Sequence, residues 1–240
     1  MPGDLYLIPN TLGDTTLERV LPHAVSAQAA SLDYFVAENA KAARAFLKRV
    51  NAVVPLARAL QDIEIRELNL TTPAERLPEL LAPIIAGRDA GLVSDAGCPA
   101  IADPGARLVA LAHQRGVRVR PLVGPSAVLL ALMASGLNGQ NFAFQGYLPT
   151  DAEERRARIR HLEAHSRQWH QTQIFIETPY RNLALLAALA ETLAPRTRLC
   201  VACDLSLDSE LVETRSAQQW RGAPIDLQRR PTVFLFEATA

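Results

Sequence analysis

The feature that most restricts the fold of this 240-residue chain is a regular alternation of short β-branched runs with longer alanine- and leucine-rich runs. The short runs predict strands, which in the first half lie at residues 5–8, 32–37, 63–68, 91–94 and 117–123. The longer runs predict helices at residues 16–27, 39–50, 73–86 and 105–114. Strands and helices at this spacing predict βαβ units and a mostly parallel sheet with helices on both faces.

The second half of the chain has more predicted strands per helix, which indicates a mixed sheet. We predict helices at residues 126–135, 151–165 and 182–193, and strands at residues 142–146, 173–177, 198–203, 211–214 and 231–237. A strand that ends in glycine and proline within residues 121–125 indicates a domain boundary. The predicted fold class is therefore α/β, with two α/β domains at residues 1–122 and 123–240 and a ligand cleft between them.

The composition argues against several classes of protein. A hydrophobic fraction of 49% is typical of a globular protein and excludes an intrinsically disordered chain. Lys+Arg and Asp+Glu both number 25, whereas proteins that bind nucleic acid usually carry a basic surplus. No apolar run is long enough to span a membrane, and the first residues lack the pattern of a secretion signal. We therefore expect a cytoplasmic protein with no membrane partner.

The three cysteines do not indicate a disulfide framework, because their number is odd and small. Cys200 and Cys203 have C-x-x-C spacing, but they lie in a predicted strand, where residues three apart point to opposite faces. No second pair completes a zinc site. We expect these two cysteines to be buried and structural, and we expect no metal.

Three predicted strands of the first half end in polar, glycine-containing segments, at residues 10–14, 94–97 and 124–127. Ligands of open α/β sheets bind outside the carboxyl ends of the strands, so these three segments predict one ligand cleft. Asp95 directly follows a buried strand, which favours a ligand role over a turn-stabilising one. For Asp103, which precedes Pro104 and Gly105, the spacing favours a helix N-cap. No G-x-G-x-x-G or Walker pattern is present, so dinucleotide and ordinary ATP sites lack their usual signature.

Four segments in order resemble a known family. LVSDAGCPAIADPG, VRPLVGPSA, FAFQGYLP and IFIETPYR are similar to motifs of the tetrapyrrole methylase superfamily of S-adenosylmethionine-dependent methyltransferases. The nearest branch is the bacterial small-subunit rRNA ribose-2′-O-methyltransferases, whose motifs read VSDAGTP-x-ISDPG, PLPGPSA, F-x-GFLP and FYESPHR. Because the sequence ends at Ala240, the resemblance implies a short form without that branch's C-terminal extension.

The resemblance implies a homodimer of two-domain subunits with S-adenosyl-L-methionine as methyl donor. It implies acceptor contacts in the first domain, dimer contacts in the second, and donor contacts in both. The implied donor-binding residues are Ser94, Asp95, Ala96, Gly97, Cys98, Ile101, Gly124, Pro125, Ser126, Ala127, Glu177 and Thr178. The implied acceptor-binding residues are Asn10, Thr11, Gly13 and Asp14. A ribose hydroxyl acceptor also needs a base, for which Glu38 and Glu177 are candidates.

The chain departs from the rRNA branch on the acceptor side. The branch has PIGN where this chain has Asn10–Asp14, and AEDTR where this chain reads Ala37-Glu38-Asn39-Ala40-Lys41. Three functions therefore stay open: methylation of an rRNA ribose in the small ribosomal subunit, methylation of a tetrapyrrole or other small molecule, and donor binding without catalysis.

Residues 153–167 form a second cluster of interest, with five arginines and two histidines. The cluster is compatible with a surface that follows phosphates and also with a solvated helix whose glutamates pair with the arginines. His165 and His170 lie near Trp169, as in a metal or stacking site, but no acidic or cysteine ligand stands at a useful spacing, so we do not expect such a site.

Overall fold

Two five-stranded sheets carry the fold of residues 1–239, the part of the chain that the computed structural model describes. The chain forms two compact units, Met1–Ser126 and Ala127–Ala240, with one sheet in each. The boundary expected between residues 122 and 123 lies just before this division.

The sheet of the first unit is entirely parallel, with strand order β3-β2-β4-β1-β5. Its strands are β1 (Asp4–Ile8), β2 (Tyr34–Ala37), β3 (Glu64–Glu67), β4 (Ala90–Val93) and β5 (Arg118–Pro121). Its helices are α1 (Leu17–Val20), α2 (His23–Ser31), α3 (Ala40–Val53), α4 (Leu77–Ile85) and α5 (Ala106–Gln114), with 3-10 turns at Leu60–Asp62 and Ala74–Arg76.

Helices cover both faces of this sheet, as predicted. In β2, Phe35 and Ala37 belong to one buried cluster, which contains residues of α1, α2 and α3. Tyr34 and Val36 belong to the opposite cluster, with residues of α4 and α5. The alternation follows from the two-residue period of a strand, and burial on both faces explains why β2 and β4 read as continuous apolar runs.

The sheet of the second unit is mixed, also as predicted, with order β6-β7-β10-β8-β9. Only β6 and β7 are parallel neighbours; the other pairs are antiparallel. The strands are β6 (Phe142–Phe144), β7 (Thr172–Ile176), β8 (Arg198–Cys203), β9 (Leu211–Ser216) and β10 (Thr232–Glu237). The helices are α6 (Ala127–Ser135), α7 (Ala152–Trp169), α8 (Asn182–Thr192) and α9 (Ala217–Trp220).

Two predicted helices differ in the structure, and proline is involved in both. The helix expected at residues 16–27 is two helices, because Pro22 lies between α1 and α2 in extended conformation and lacks the N–H that a continuous helix needs. The helix expected from residue 73 starts as a 3-10 turn, and the α-helix proper begins at Leu77.

The cysteine prediction for β8 is confirmed. Cys200 and Cys203 are free thiols and fully buried. Only Cys203 belongs to the core cluster formed with Leu199 and Val201, which places Cys200 on the opposite face of the strand. Within the described residues, no group of three or more His, Cys, Asp or Glu side chains is placed to hold a metal ion. The helices of residues 1–239 include none that is both long and apolar enough to cross a membrane.

Candidate functional site

The loops that follow β1, β4 and β5 meet at the carboxyl edge of the parallel sheet. These strands are neighbours in the order β4-β1-β5, and they end at Val93, Ile8 and Pro121. The connection from β1 to β2 runs toward the edge of the sheet formed by β3, whereas the connection from β4 to β5 runs toward the opposite edge. Such a reversal between neighbouring strands is the switch point at which open α/β sheets bind ligands.

Asn10 joins the loop after β1 to the loop after β4. Its backbone N–H donates to the carbonyl oxygen of Gly97 at 2.9 Å. Its side-chain Nδ2 donates to the carbonyl oxygens of Ser94 and Asp95, at 3.3 and 3.0 Å, and its Oδ1 accepts from the N–H of Thr11 at 2.8 Å. Asn10 is only 6% exposed, so water cannot easily replace these bonds. The two loops are therefore held in one arrangement.

Gly97 and Cys98 extend this connection to the third loop. The Sγ of Cys98 lies 3.4 Å from the carbonyl oxygen of Pro125, in the loop after β5. Gly97 has a φ of +68°, and a Cβ at this position would lie 3.1 Å from Leu12 Cδ2. Both facts favour glycine, because side-chain-bearing residues rarely adopt this conformation and the space is already occupied. A Cβ at Gly124 would lie 2.2 Å from Pro9, so this loop also packs closely on the first.

A cavity of about 310 Å³ opens beside the joined loops. All the acceptor-side residues of the sequence prediction line it, together with two residues of the expected donor loop: Asn10, Thr11, Gly13, Asp14, Asp95 and Ala96. Leu12 and part of α3 complete the wall. The structure thus places residues expected to contact the acceptor and residues expected to contact the donor around one space.

Arg49 of α3 holds the loop after β1 from behind. Its Nη1 donates to the Thr11 hydroxyl at 3.1 Å, and its Nη2 donates to the carbonyl oxygen of Thr15. Arg49 and its helix neighbours Ala42, Ala45 and Phe46 line the cavity, and we did not predict this role for them. The i, i+3, i+7 spacing of Ala42, Ala45 and Arg49 indicates a shared helix face, but the sequence does not say what the face contacts.

Three carboxyl groups lie around the ends of β2 and β4. Burial raises the pKa of Asp95. Burial and the negative charges of Asp103 and Asp95 together raise the pKa of Glu38. Burial also raises the pKa of Asp103, although a hydrogen bond from the Ser94 hydroxyl opposes the shift. Asp95 and Asp103 thus make Glu38 harder to ionise, and Asp95 does the same to Asp103. A cation placed among these carboxylates would be stabilised.

The predicted N-cap role of Asp103 is wrong. Helix α5 begins at Ala106 with Gly105 as its N-cap residue and no capping side chain. Ala100 and Ala102 both have positive φ, at 66° and 63°, and the turns they make carry Asp103 back to Ser94 at the end of β4. The Asp103 carboxylate is thus part of the site.

The other residues expected in the first unit differ in exposure. Ser94 and Ser126 are buried, at 6% and 9% exposure, whereas Ile101 is an apolar side chain exposed to 50%. Exposed apolar groups beside a ligand loop are compatible with a binding role.

Glu177 and Thr178 belong to the second unit, where Glu177 directly follows β7. The Oε1 of Glu177 accepts hydrogen bonds from the N–H of Thr178 and from Nε and Nη2 of Arg181, at 2.6, 3.1 and 2.6 Å. The carboxylate is buried in this ion pair. These bonds occupy Oε1 of Glu177, whereas a proton acceptor needs a free lone pair aimed at its substrate. Glu38, the other candidate base, lies next to the end of β2 and is not among the residues that line the cavity. Ala127 is the first residue of α6.

Comparisons with known proteins bear on the family and the fold of this chain. The family model described as "Tetrapyrrole (Corrin/Porphyrin) Methylases" matches residues 19–219. A relative from Xylella fastidiosa, named ribosomal RNA small subunit methyltransferase I, is 34% identical over 88% of this chain and 71% of its own length. A Synechocystis protein of the same name is 33% identical over 92% of this chain and 71% of its own.

A third protein of that name, from Mesorhizobium japonicum, is 39% identical over 57% of this chain but only 45% of its own length. The matches thus span between about half and about seven tenths of these relatives. Among solved structures, the methyltransferase CobJ superposes with a TM-score of 0.64 over 99% of this chain and 95% of its own, at 18% identity. Uroporphyrin-III-C-methyltransferase from Thermus thermophilus gives 0.55, also at 18% identity. These two likenesses concern the fold alone.

Proposed function

The chain belongs to the tetrapyrrole methylase family and is an S-adenosylmethionine-dependent methyltransferase, and we propose that it transfers the methyl group to a ribose 2′-hydroxyl of small-subunit rRNA. The single observation that carries the site assignment is the joint at Asn10, which holds the loops after β1 and β4 together beside one cavity. The rRNA acceptor is supported by the names of the relatives that match most of this chain.

The residues at the end of β4 fit the donor. S-adenosylmethionine supplies a methyl group on a positively charged sulfur. The backbone of Ser94–Cys98 offers polar groups on a loop fixed by Asn10, and the Asp95 carboxylate favours a positive charge nearby. Gly124, Pro125, Ser126, Ala127 and Ile101, with Glu177 and Thr178 of the second unit, are proposed as further donor contacts.

The chemistry demands alignment and one proton acceptor. The acceptor oxygen forms a bond to the methyl carbon while the carbon–sulfur bond breaks and its electron pair stays on sulfur. Holding the two reactants in line supplies much of the rate enhancement in such displacements. We propose that Asn10, Thr11, Gly13 and Asp14 position the acceptor. Glu38 takes the hydroxyl proton, since the raised pKa of this carboxyl group brings it closer to neutral pH.

Calorimetry with the donor tests the binding site. We expect Asp95→Ala to weaken donor binding at least tenfold, a loss of about 1.4 kcal/mol, because a nearby carboxylate would no longer offset the sulfonium charge. Asp62→Ala removes an exposed aspartate from a 3-10 turn of the same unit and should leave affinity unchanged. Equal affinity of wild type and Asp95→Ala would remove the loop after β4 from the donor site.

Radiolabelled methyl transfer tests the acceptor. We expect label in the rRNA of small ribosomal subunits prepared without this methylation, and none with Glu38→Gln at neutral pH. A tetrapyrrole is the second candidate acceptor, favoured by the formal net charge of zero. Label in a porphyrinogen but not in the subunit would favour that alternative, and donor binding without transfer to either would indicate a protein that has lost catalysis.

We further propose a homodimer that works in the cytoplasm, where an rRNA acceptor would be found. Support for self-association comes from α6, whose side chains Leu129 and Met133 are 50% and 79% exposed, because large apolar groups on a surface often mark an interface. Light scattering coupled to gel filtration would give the subunit number, and a monomer at micromolar concentration would contradict the dimer.

A further inference from the structure

One face of α7 displays an aromatic and cationic row that the donor site does not use. Arg158, His161, His165 and Trp169 follow one another at spacings of three and four residues, so they lie on the same side of the helix. We call this set the α7 row. Its ring pairs are close: the centroids of His161 and His165 are 6.4 Å apart, and those of His165 and Trp169 are 6.3 Å apart.

The end of the row is an exposed tryptophan held on a rigid support. Trp169 is 55% exposed, although indole rings are usually well covered in folded proteins. Its carbonyl oxygen accepts from Asn141 Nδ2 at 2.7 Å, and the next residue, His170, ends the helix in left-handed conformation. The ring is therefore presented at the end of a helix whose last turn is fixed.

A chain of side-chain amides connects the two ends of the row. Arg158 Nη2 donates to Gln145 Oε1 at 2.9 Å, and Gln145 Nε2 donates to Gln173 Oε1 at 2.8 Å. Gln173 Nε2 donates to Gln171 Oε1, and Gln171 Nε2 donates to Asn141 Oδ1, at 2.9 Å each. Asn141 in turn donates to the carbonyl oxygen of Trp169. Each amide donates through nitrogen and accepts through oxygen. The network holds Arg158 through a neutral amide, and the guanidinium keeps its positive charge.

The five arginines of α7 outnumber its three glutamates. Glu153 pairs with Arg156, and Glu163 is buried and accepts from the N–H of Ala194 at 2.8 Å. Glu154 lies four residues before Arg158 and so shares the face of the row, at the end away from Trp169. A helix with an excess of arginines and a row of rings is complementary to a chain of phosphates and unpaired bases.

We propose that the α7 row is a docking surface for single-stranded RNA, with a base stacked on Trp169 and a phosphate at Arg158. This inference deepens the proposed function and rests on an RNA acceptor. The row extends over twelve residues of helix, from Arg158 to Trp169, or about 16 Å, which leaves room for more than one nucleotide.

Fluorescence anisotropy with a labelled, unstructured RNA of about 12 nucleotides tests the stacking part. We expect Trp169→Ala to weaken binding roughly tenfold, the size of effect typical for one base stacked on an aromatic ring. Trp169→Phe keeps a ring and should stay within about threefold of wild type. Equal affinity of the alanine variant and wild type would overturn the proposal.

Charge variants of the same helix test the phosphate part. Arg158→Gln should lower the slope of log affinity against log salt by about 0.7, the value for one phosphate contact in a single strand. Arg160→Gln is the matched control: it removes the same charge from the same helix, two residues on and about 200° around the axis. Equal loss in both variants would show a general electrostatic effect and would overturn the assignment of Arg158.

Two further readouts separate this inference from the proposed function. If wild type methylates the small subunit while Trp169→Ala binds RNA normally, the docking surface fails and the acceptor assignment stands. If wild type transfers no methyl group to the subunit but Trp169→Ala still loses RNA affinity, the acceptor assignment fails alone. If Trp169→Ala changes the subunit number by light scattering and not the RNA affinity, the row is a contact between copies, which overturns the proposal.

Discussion

The backbone N–H of Asn10 donates to the carbonyl oxygen of Gly97 at 2.9 Å, which makes the loops after β1 and β4 a single mechanical unit. The Asn10 side chain adds bonds to Ser94 and Asp95. In a parallel sheet, such loops are otherwise connected only through their strands. A substitution of Asn10, on the acceptor side, should therefore alter donor binding at the loop after β4.

Asn10→Ala should weaken donor binding about tenfold and lower the free energy of unfolding by about 2 kcal/mol, because it leaves two buried carbonyl groups without a donor. Calorimetry and urea denaturation measure the two effects. Asn51→Ala is the control, since Asn51 is exposed and its Oδ1 accepts only from Leu56 N–H. If Asn10→Ala loses stability but binds the donor normally, the two loops act independently.

Gly97→Ala should cost about 1 kcal/mol of stability and also weaken donor binding, because its φ of +68° disfavours a side chain and the new Cβ would press on Leu12. Gly116→Ala provides the comparison. Gly116 has the same φ of +68° with nothing within 4 Å of its Cβ position, so it should lose stability without any change in donor affinity. Parallel losses of affinity in both variants would indicate a global effect and not one at the loop.

Asp103→Asn should make the protein more stable at pH 7. The pKa of Asp103 is raised by burial, so ionising this group costs free energy in the folded state. That cost is absent below the ordinary pKa of 3.8 and is complete above the raised pKa, so stability falls as the pH rises between them. The advantage of the variant should accordingly shrink as the pH is lowered toward 3.8.

Urea denaturation of wild type and Asp103→Asn between pH 4 and pH 7 would measure this dependence, with the exposed Asp62→Asn as control. The pKa of Glu38 should also fall in Asp103→Asn, because Asp103 is one of the charges that raise it, and carboxyl NMR titration would follow it. A variant that is less stable by the same amount at every pH would contradict this account.

Arg88→Met should destabilise the first unit by about 1 kcal/mol at pH 7, a value reduced for the 33% exposure of the Arg88 side chain. Arg88 donates to Asp33 Oδ1 at 2.8 Å and to Glu64 Oε2 at 2.5 Å, and these bonds are the largest cause of the lowered pKa of both carboxyl groups. For groups with a lowered pKa, the stabilisation is present above their ordinary values near pH 4 and is lost as the pH falls through the lowered pKa.

The loss caused by Arg88→Met should therefore disappear in acid. Thermal unfolding at pH 7 and near pH 3 would check it, with Arg76→Met as control, because the Arg76–Glu79 pair is far more exposed and should contribute little. A deficit that persists unchanged at low pH would assign the effect to packing of Arg88 against the Tyr34 ring, 5.0 Å away.

The sequence predicts the strands more accurately than the loops. The bounds of β8 agree with the prediction, because an apolar run flanked by polar residues marks both ends. The positive φ values of Ala100 and Ala102 could not be predicted, because alanine does not indicate a turn of this kind. These turns bring Asp103 back to Ser94. The contact of Arg49 with Thr11 was equally hidden, since it depends on how α3 packs behind the loop.

The thiol of Cys98 gives the site a built-in reporter. Burial raises the pKa of this half-buried group, so it reacts slowly with alkylating reagents while the loop stays packed on Pro125. Cys200 and Cys203 are fully enclosed in β8. The rate at which Cys98 is alkylated in the native protein would therefore report the opening of this one loop. A ligand that holds the loop closed would slow the alkylation, so its binding could be followed without an engineered probe.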